Sequence, residues 1–140
     1  MGACAKCGYD PARKPTSTWT HRVASYTPSL NDVGVNGKNA HKYRTWRKHW
    51  EKVFGPWLSK LPAAQLFRRI QITRHYGKGQ RAFDRINFAA GCKPLLDTIV
   101  NHGGLYDDSV TWCEDHYSQL KSPDGKDYVQ IVIEEFPGDG

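Results

Sequence analysis

Residues 84–108 carry the densest set of groups able to do chemistry: Asp84, Asn87, Lys93, Asp97, Asp107 and Asp108. Carboxylate oxygens are the ligands that a magnesium ion takes while keeping sites open for water and a phosphate. A lysine among them can neutralise the charge that builds on phosphate oxygens during phosphodiester hydrolysis. The same residues also have a plain structural reading. Asp84 suits a helix N-cap, and Asp107-Asp108 suits a polar turn. Lys93 and Asp97 are spaced i, i+4, which makes an exposed helix ion pair worth about 0.3–0.5 kcal/mol. Taken by composition alone, the structural reading is the stronger.

The elements that must position these residues follow from hydrophobic periodicity. Residues 1–17, rich in Gly, Pro, Ser and Lys, show no period and read as a tail. Residues 19–26 mix large and polar side chains as a strand does. Thr27-Pro28-Ser29-Leu30-Asn31-Asp32 is a turn signal. Residues 38–54 read as a helix whose stripe is Tyr43, Trp46, Trp50, Val53 and Phe54, ended by Gly55-Pro56. That stripe reads as core rather than as a base-stacking surface.

Residues 66–76 read as a strand with Leu66, Ile70 and Ile72 facing inward. Arg68, Arg69, Arg74, Lys78 and Arg81 crowd positive charge just ahead of Asp84. They read as a phosphate-tracking surface, the alternative being a solvated strand face. A helix over 85–102 follows, with Pro94 kinking or splitting it and Gly103-Gly104 ending it. A strand over 110–120, the turn Ser122-Pro123-Asp124-Gly125 closing a hairpin, and a strand over 128–136 complete the chain.

With 140 residues, 39% of them hydrophobic, the chain is long enough for one domain with a sizeable core. The division expected is a tail over 1–17, one domain over 18–136 and a short tail over 137–140. A net charge of +6 favours a polyanionic partner such as nucleic acid. No apolar run reaches the ~18–20 residues of a membrane span, and the N-terminus has no apolar signal-peptide core, so a cytoplasmic location is expected. Cys4 and Cys7 form a C-x-x-C, half of a zinc knuckle; Cys92 and Cys113 stand alone. The pair reads as part of a reduced tail, with zinc at Cys4 and Cys7 as the alternative.

Several pieces fall in a recognisable order. Pro28-Ser29-Leu30-Asn31 looks like a P-P-S-x-N turn. Asp84 and Asn87 match the first Asp and the Asn of D-x-D-N. Lys93, Pro94 and Asp97 match K-P-x-x-D, and Asp107-Asp108-Ser109 matches D-D-S. Lys121, Gly125 and the run Val129-Gln130-Ile131-Val132-Ile133 suit a closing hairpin. Over residues 19–136 this order resembles the RusA family of Holliday junction resolvases.

The resemblance implies an α+β fold, a single two-layer domain with a mixed β-sheet packed against two main helices. It implies a magnesium-dependent endonuclease, manganese able to substitute, that resolves four-way DNA junctions by paired nicks as a homodimer. Asp84, Lys93 and Asp108 would be catalytic, with Asp84, Asp108 and Asp107 as metal ligands. Asn31, Asn87 and the basic residues Arg68, Arg69, Arg74, Lys78 and Arg81 would contact DNA. One departure is plain: the second Asp of D-x-D-N falls on Ile86, which cannot bind a metal. Either Asp107, Asp97 or Asp115 stands in for it, or the chain is a catalytically weakened or inactive binder of branched DNA.

Overall fold

The alternation at residues 128–135 dictates the centre of the fold. Val129, Ile131 and Ile133 are fully buried, while Tyr128, Gln130, Val132 and Glu134 between them are only half-buried. Successive strand side chains point to opposite faces, so one face is apolar and must be covered. In a computed structural model of the chain, residues 14–33, 40–105 and 113–137 are described, apart from the side chains of Leu30 and Asn31. The elements are β1 (Ser17–Ala24), α1 (Leu30–Val33), α2 (Ala40–Leu58), β2 (Arg68–Tyr76), α3 (Arg85–Gly91), α4 (Lys93–Asn101), β3 (Cys113–Lys121) and β4 (Tyr128–Glu135).

The four strands form one mixed sheet in the order β1-β4-β2-β3. β4 pairs antiparallel with β1 and with β2, and β3 runs parallel to β2 on its far side. Trp50, Phe54 and Leu58 of α2, Phe88 of α3, and Leu95, Leu96 and Ile99 of α4 pack on Ile70, Ile72, Val129, Ile131 and Ile133. The fold is therefore α+β, a sheet with its helices on one face, as expected. The described residues contain no helix long and apolar enough to cross a membrane.

Three expectations need correcting. First, α2 does not stop at Gly55-Pro56 but runs through Pro56 to Leu58. An interior proline costs about 3 kcal/mol. Leu58 is fully buried, worth about 1.5–3 kcal/mol, and the Trp57 ring stacks on His21 at 5.1 Å, so the last turn is retained. Second, 110–120 and 128–136 do not form a hairpin, because β2 lies between β3 and β4. The connection crosses the end of β2. Ser122 N–H donates to the Tyr76 carbonyl (2.9 Å), Lys78 N–H to the Gly125 carbonyl (3.0 Å) and Gly77 N–H to Asp127 Oδ1 (2.7 Å). Third, β2 begins at Arg68 and Leu66 is exposed; the inward residues are Arg68, Ile70, Ile72 and Arg74. Period two leaves no choice: burying Ile70 and Ile72 turns both flanking arginines inward.

Pro94 splits the long helix as the sequence suggests. Cys92 ends α3, its N–H donating to the Phe88 and Ala89 carbonyls, and Pro94 sits in the first turn of α4, where a missing N–H costs nothing. Gly91 lies where α3 meets the 28–29 segment, and a Cβ there would stand 2.3 Å from the Pro28 carbonyl oxygen. α4 closes at Gly103, whose φ of 78° lies in the left-handed region.

Candidate active site at helices α3 and α4

Asp84 is placed by a clamp that reaches across the sheet edge. The Gln119 side chain of β3 accepts from the Phe83 N–H at 2.8 Å and donates to the Phe83 carbonyl at 2.8 Å. Arg74 Nη1 donates to that same Gln119 Oε1 at 2.7 Å and to the Arg81 carbonyl at 2.8 Å. The Arg74 guanidinium also lies 3.8 Å from the centre of the Phe83 ring. Its buried Nη2 has no hydrogen-bond partner; the ring faces of Phe83 and, at 5.1 Å, Tyr76 compensate in part. Burial pulls the Arg74 pKa down.

With the preceding peptide fixed, Asp84 caps α3: its Oδ1 accepts from the Asn87 N–H at 2.9 Å. The residue is exposed, so the carboxylate serves the helix and still faces solvent. Two positions on, Ile86 is 81% exposed. It lines a groove of about 510 Å³ between α3 and the edge strand β3, together with Arg85, Ala89, Asp115, His116 and Tyr117. The Tyr117 hydroxyl donates to Asp115 Oδ2 at 2.6 Å, orienting that carboxylate. Burial, reinforced by this bond and the charge of Asp115, pushes the Tyr117 phenol well above its usual range, so it stays a donor. The Phe88 ring meets the Tyr117 ring edge-on at 6.0 Å and closes the groove floor.

Lys93, the first residue of α4, is exposed and its Nζ lies 3.0 Å from Asp97 Oδ1. This is the i, i+4 ion pair of the structural reading. At about 0.3–0.5 kcal/mol such a pair exchanges readily for a phosphate, so it does not disqualify Lys93. Asp97 is committed further, because its Oδ2 accepts from the Tyr43 hydroxyl. Burial and then that bond push the Tyr43 phenol up to about 12. Of the acids that could stand in at position 86, Asp97 is thus engaged by α2, whereas Asp115 shares the groove with Ile86.

The expected basic surface is redrawn. Arg68 and Arg74 are buried and structural. Arg68 donates to the Gly104 and Pro62 carbonyls, each at 2.9 Å, pairs with Glu135 at 3.0 Å, and lies 4.7 Å over the Trp19 ring. Arg69 sits on the other face of the sheet, paired with Glu134 at 3.0 Å. Lys78 and Arg81 remain exposed, six and three positions before Asp84 in the chain. Arg85, in the groove, was not singled out by sequence, although its place beside Asp84 could have drawn attention to it. Asn87 is half-buried and its backbone joins the cap. Asp107, Asp108, Cys4 and Cys7 lie outside the described residues, as does the side chain of Asn31.

Among the described residues no three His, Cys, Asp or Glu side chains converge as a metal-holding group. Asp84 and Asp115 are exposed carboxylates, oxygen donors of the kind magnesium takes when held by one or two acids and its own waters. No protein-family model and no curated protein matches the chain.

Proposed function

We propose that the chain is a magnesium-dependent endonuclease that cuts branched DNA, four-way junctions above all, inside the cell and as a homodimer. The observation that carries this reading is the placement of Asp84 and Lys93. Both are exposed, one capping α3 and the other opening α4, on either side of the break at Cys92. The order of Asp84, Asn87, Lys93 and Asp107-Asp108 supports it from the sequence. Asp84 and Asp108 would hold the metal, with Asp107 beside them. Magnesium, when bound, supplies charge to polarise the phosphodiester and a water of lowered pKa. Lys93, released from Asp97, would set its ammonium against the phosphate oxygens. Lys78, Arg81 and Arg85, all exposed, would supply phosphate contacts. Two-fold symmetry suits paired cuts on a junction. The test is incubation of the purified protein with a synthetic four-way junction, with and without magnesium.

A second reading is favoured by one observation, the exposed Ile86 where the resemblance calls for a second acid. In it the chain binds branched DNA without cutting it. Binding that weakens steeply with salt, and no product at any magnesium concentration, would distinguish it.

A further inference from the structure

β3 is an edge of the sheet: among the described residues β2 lies on one side of it and no strand lies on the other. The groove beside α3 follows that open edge. Its strand side is lined by the consecutive residues Asp115 to Gln119. Successive strand side chains point to opposite faces, so a groove that meets both sets runs along the backbone between them. An unpaired edge offers a row of N–H and C=O groups to another extended chain, and charged side chains are what commonly blunt it. Here the stretch Tyr117-Ser118-Gln119-Leu120 carries no charge. Ile86, 81% exposed, borders the groove from α3, and Leu120 is itself 55% exposed.

The charges at the ends of β3 select the partner. The strand opens with Glu114 and Asp115 and closes with Lys121. A second copy related by a two-fold axis normal to the sheet would add its own β3 antiparallel, with the helices of both copies on one face. Opposed residues must then share a face, which restricts the ladder to registers centred on a residue rather than between two. Asp115 and Lys121 alternate with Tyr117, whose ring meets Phe88 of α3, so both lie on the helix side. Centred on Ser118, the ladder sets Asp115 against Lys121 of the second copy, and Lys121 against its Asp115. His116 then stands opposite Leu120, and Tyr117 opposite Gln119. No other centre along β3 opposes Asp115 to Lys121, and a centre on Asp115 would set two carboxylates together. Opposite charges across a ladder stabilise a pair and like charges destabilise it. Because α3 borders the same stretch, the two-fold also turns the Ile86 side chains of the two copies toward each other. β1, the other edge, carries Arg22 and no acid, so pairing with itself offers no such match.

We infer that β3 pairs with β3 of a second copy of the chain, antiparallel and centred on Ser118, so that one sheet runs through the dimer. This names the surface of the homodimer proposed above and rests on that part of the reading, not on junction cutting. The test therefore uses neither DNA nor metal. Full-length protein is followed by sedimentation in a chelating buffer over a wide concentration range. The parent should sediment as a dimer, and Lys121→Glu, which sets acid against acid, should weaken it at least about tenfold. Asp115→Lys should do the same, and the double variant Asp115→Lys, Lys121→Asp should restore the dimer. Asp115, Ser118 and Lys121 are exposed, so these variants fold as the parent does, which urea unfolding checks. Opposed residues of an antiparallel pair stand about 4.5–5.5 Å apart at Cα, within disulfide reach. Ser118→Cys, in a chain that also carries Cys4→Ser and Cys7→Ser, should therefore oxidise to a disulfide-linked dimer. Thr20→Cys in the same background, on β1 at the far edge, should stay unlinked. A monomer at every concentration overturns the pairing and the homodimer together. A dimer that ignores both charge reversals, and in which Ser118→Cys stays unlinked, overturns this interface and leaves the homodimer standing.

Discussion

Gln119 holds both backbone polar atoms of Phe83, accepting from its N–H and donating to its carbonyl at 2.8 Å each. A residue of the edge strand thereby sets where the chain enters α3 and where Asp84 stands. Gln119→Ala removes this clamp and leaves Arg74 without its acceptor on β3. A loss of about 1–3 kcal/mol is expected in urea unfolding, with junction cutting reduced beyond what the stability change explains. A variant within about 0.5 kcal/mol of the parent would show that the clamp is incidental.

Gly91→Ala sets two effects against each other. Alanine improves helix propensity by about 1 kcal/mol. Its Cβ would stand 2.3 Å from the Pro28 carbonyl oxygen and 2.8 Å from the Ser29 carbonyl carbon, both backbone atoms that cannot rotate away. Overpacking costs about 1–3 kcal/mol, so net destabilisation is expected in a denaturant melt. A more stable variant would mean that the 28–29 segment can withdraw from α3.

The crossover turn carries a pH signature. The Asp124 carboxyl is held down to about 2 by bonds from Ser122, Tyr128 and the Lys126 backbone, against an ordinary value of 3.8. A depressed acid contributes stability that is present above its unfolded pKa and lost as pH falls through its folded one. The contribution should therefore fade between about pH 4 and pH 2, and Asp124→Asn should remove that part of the acid dependence. Carbon-detected titration of the carboxyl checks it directly; a midpoint near 4 would contradict the bonded geometry.

Ile86→Asp tests the departure from the resemblance. Asp115 already lies in the groove with Ile86, oriented by Tyr117. If Asp115 supplies the missing acid, Ile86→Asp should change cutting little, whereas Asp115→Asn should lower both cutting and manganese affinity, the latter read by electron paramagnetic resonance. A large gain in Ile86→Asp together with no effect of Asp115→Asn would show that Asp115 plays no such part.

The legible parts of this chain were those set by local pattern. The alternation at Val129, Ile131 and Ile133 marked the central strand, Pro94 marked the helix break, and Asp84 read as an N-cap. What escaped depends on contacts between distant residues. A turn such as Ser122-Pro123-Asp124-Gly125 has the same local chemistry whether its strands are neighbours or, as here, flank a third. Arg68 and Arg74 read as surface because of their charge, yet carbonyls and ring faces supplied by other elements satisfy them inside. Asp115 could be named only as one of several acids, since sequence spacing does not show that β3 runs beside α3.

The most direct measurement is a four-way junction assay on the purified chain with magnesium, beside Asp84→Asn and Lys93→Ala variants. Paired nicks that need the metal and vanish in both variants are expected, while junction affinity and unfolding stability stay close to the parent. Cutting that survives in both variants, or an intact junction under every condition with the parent protein, would contradict it.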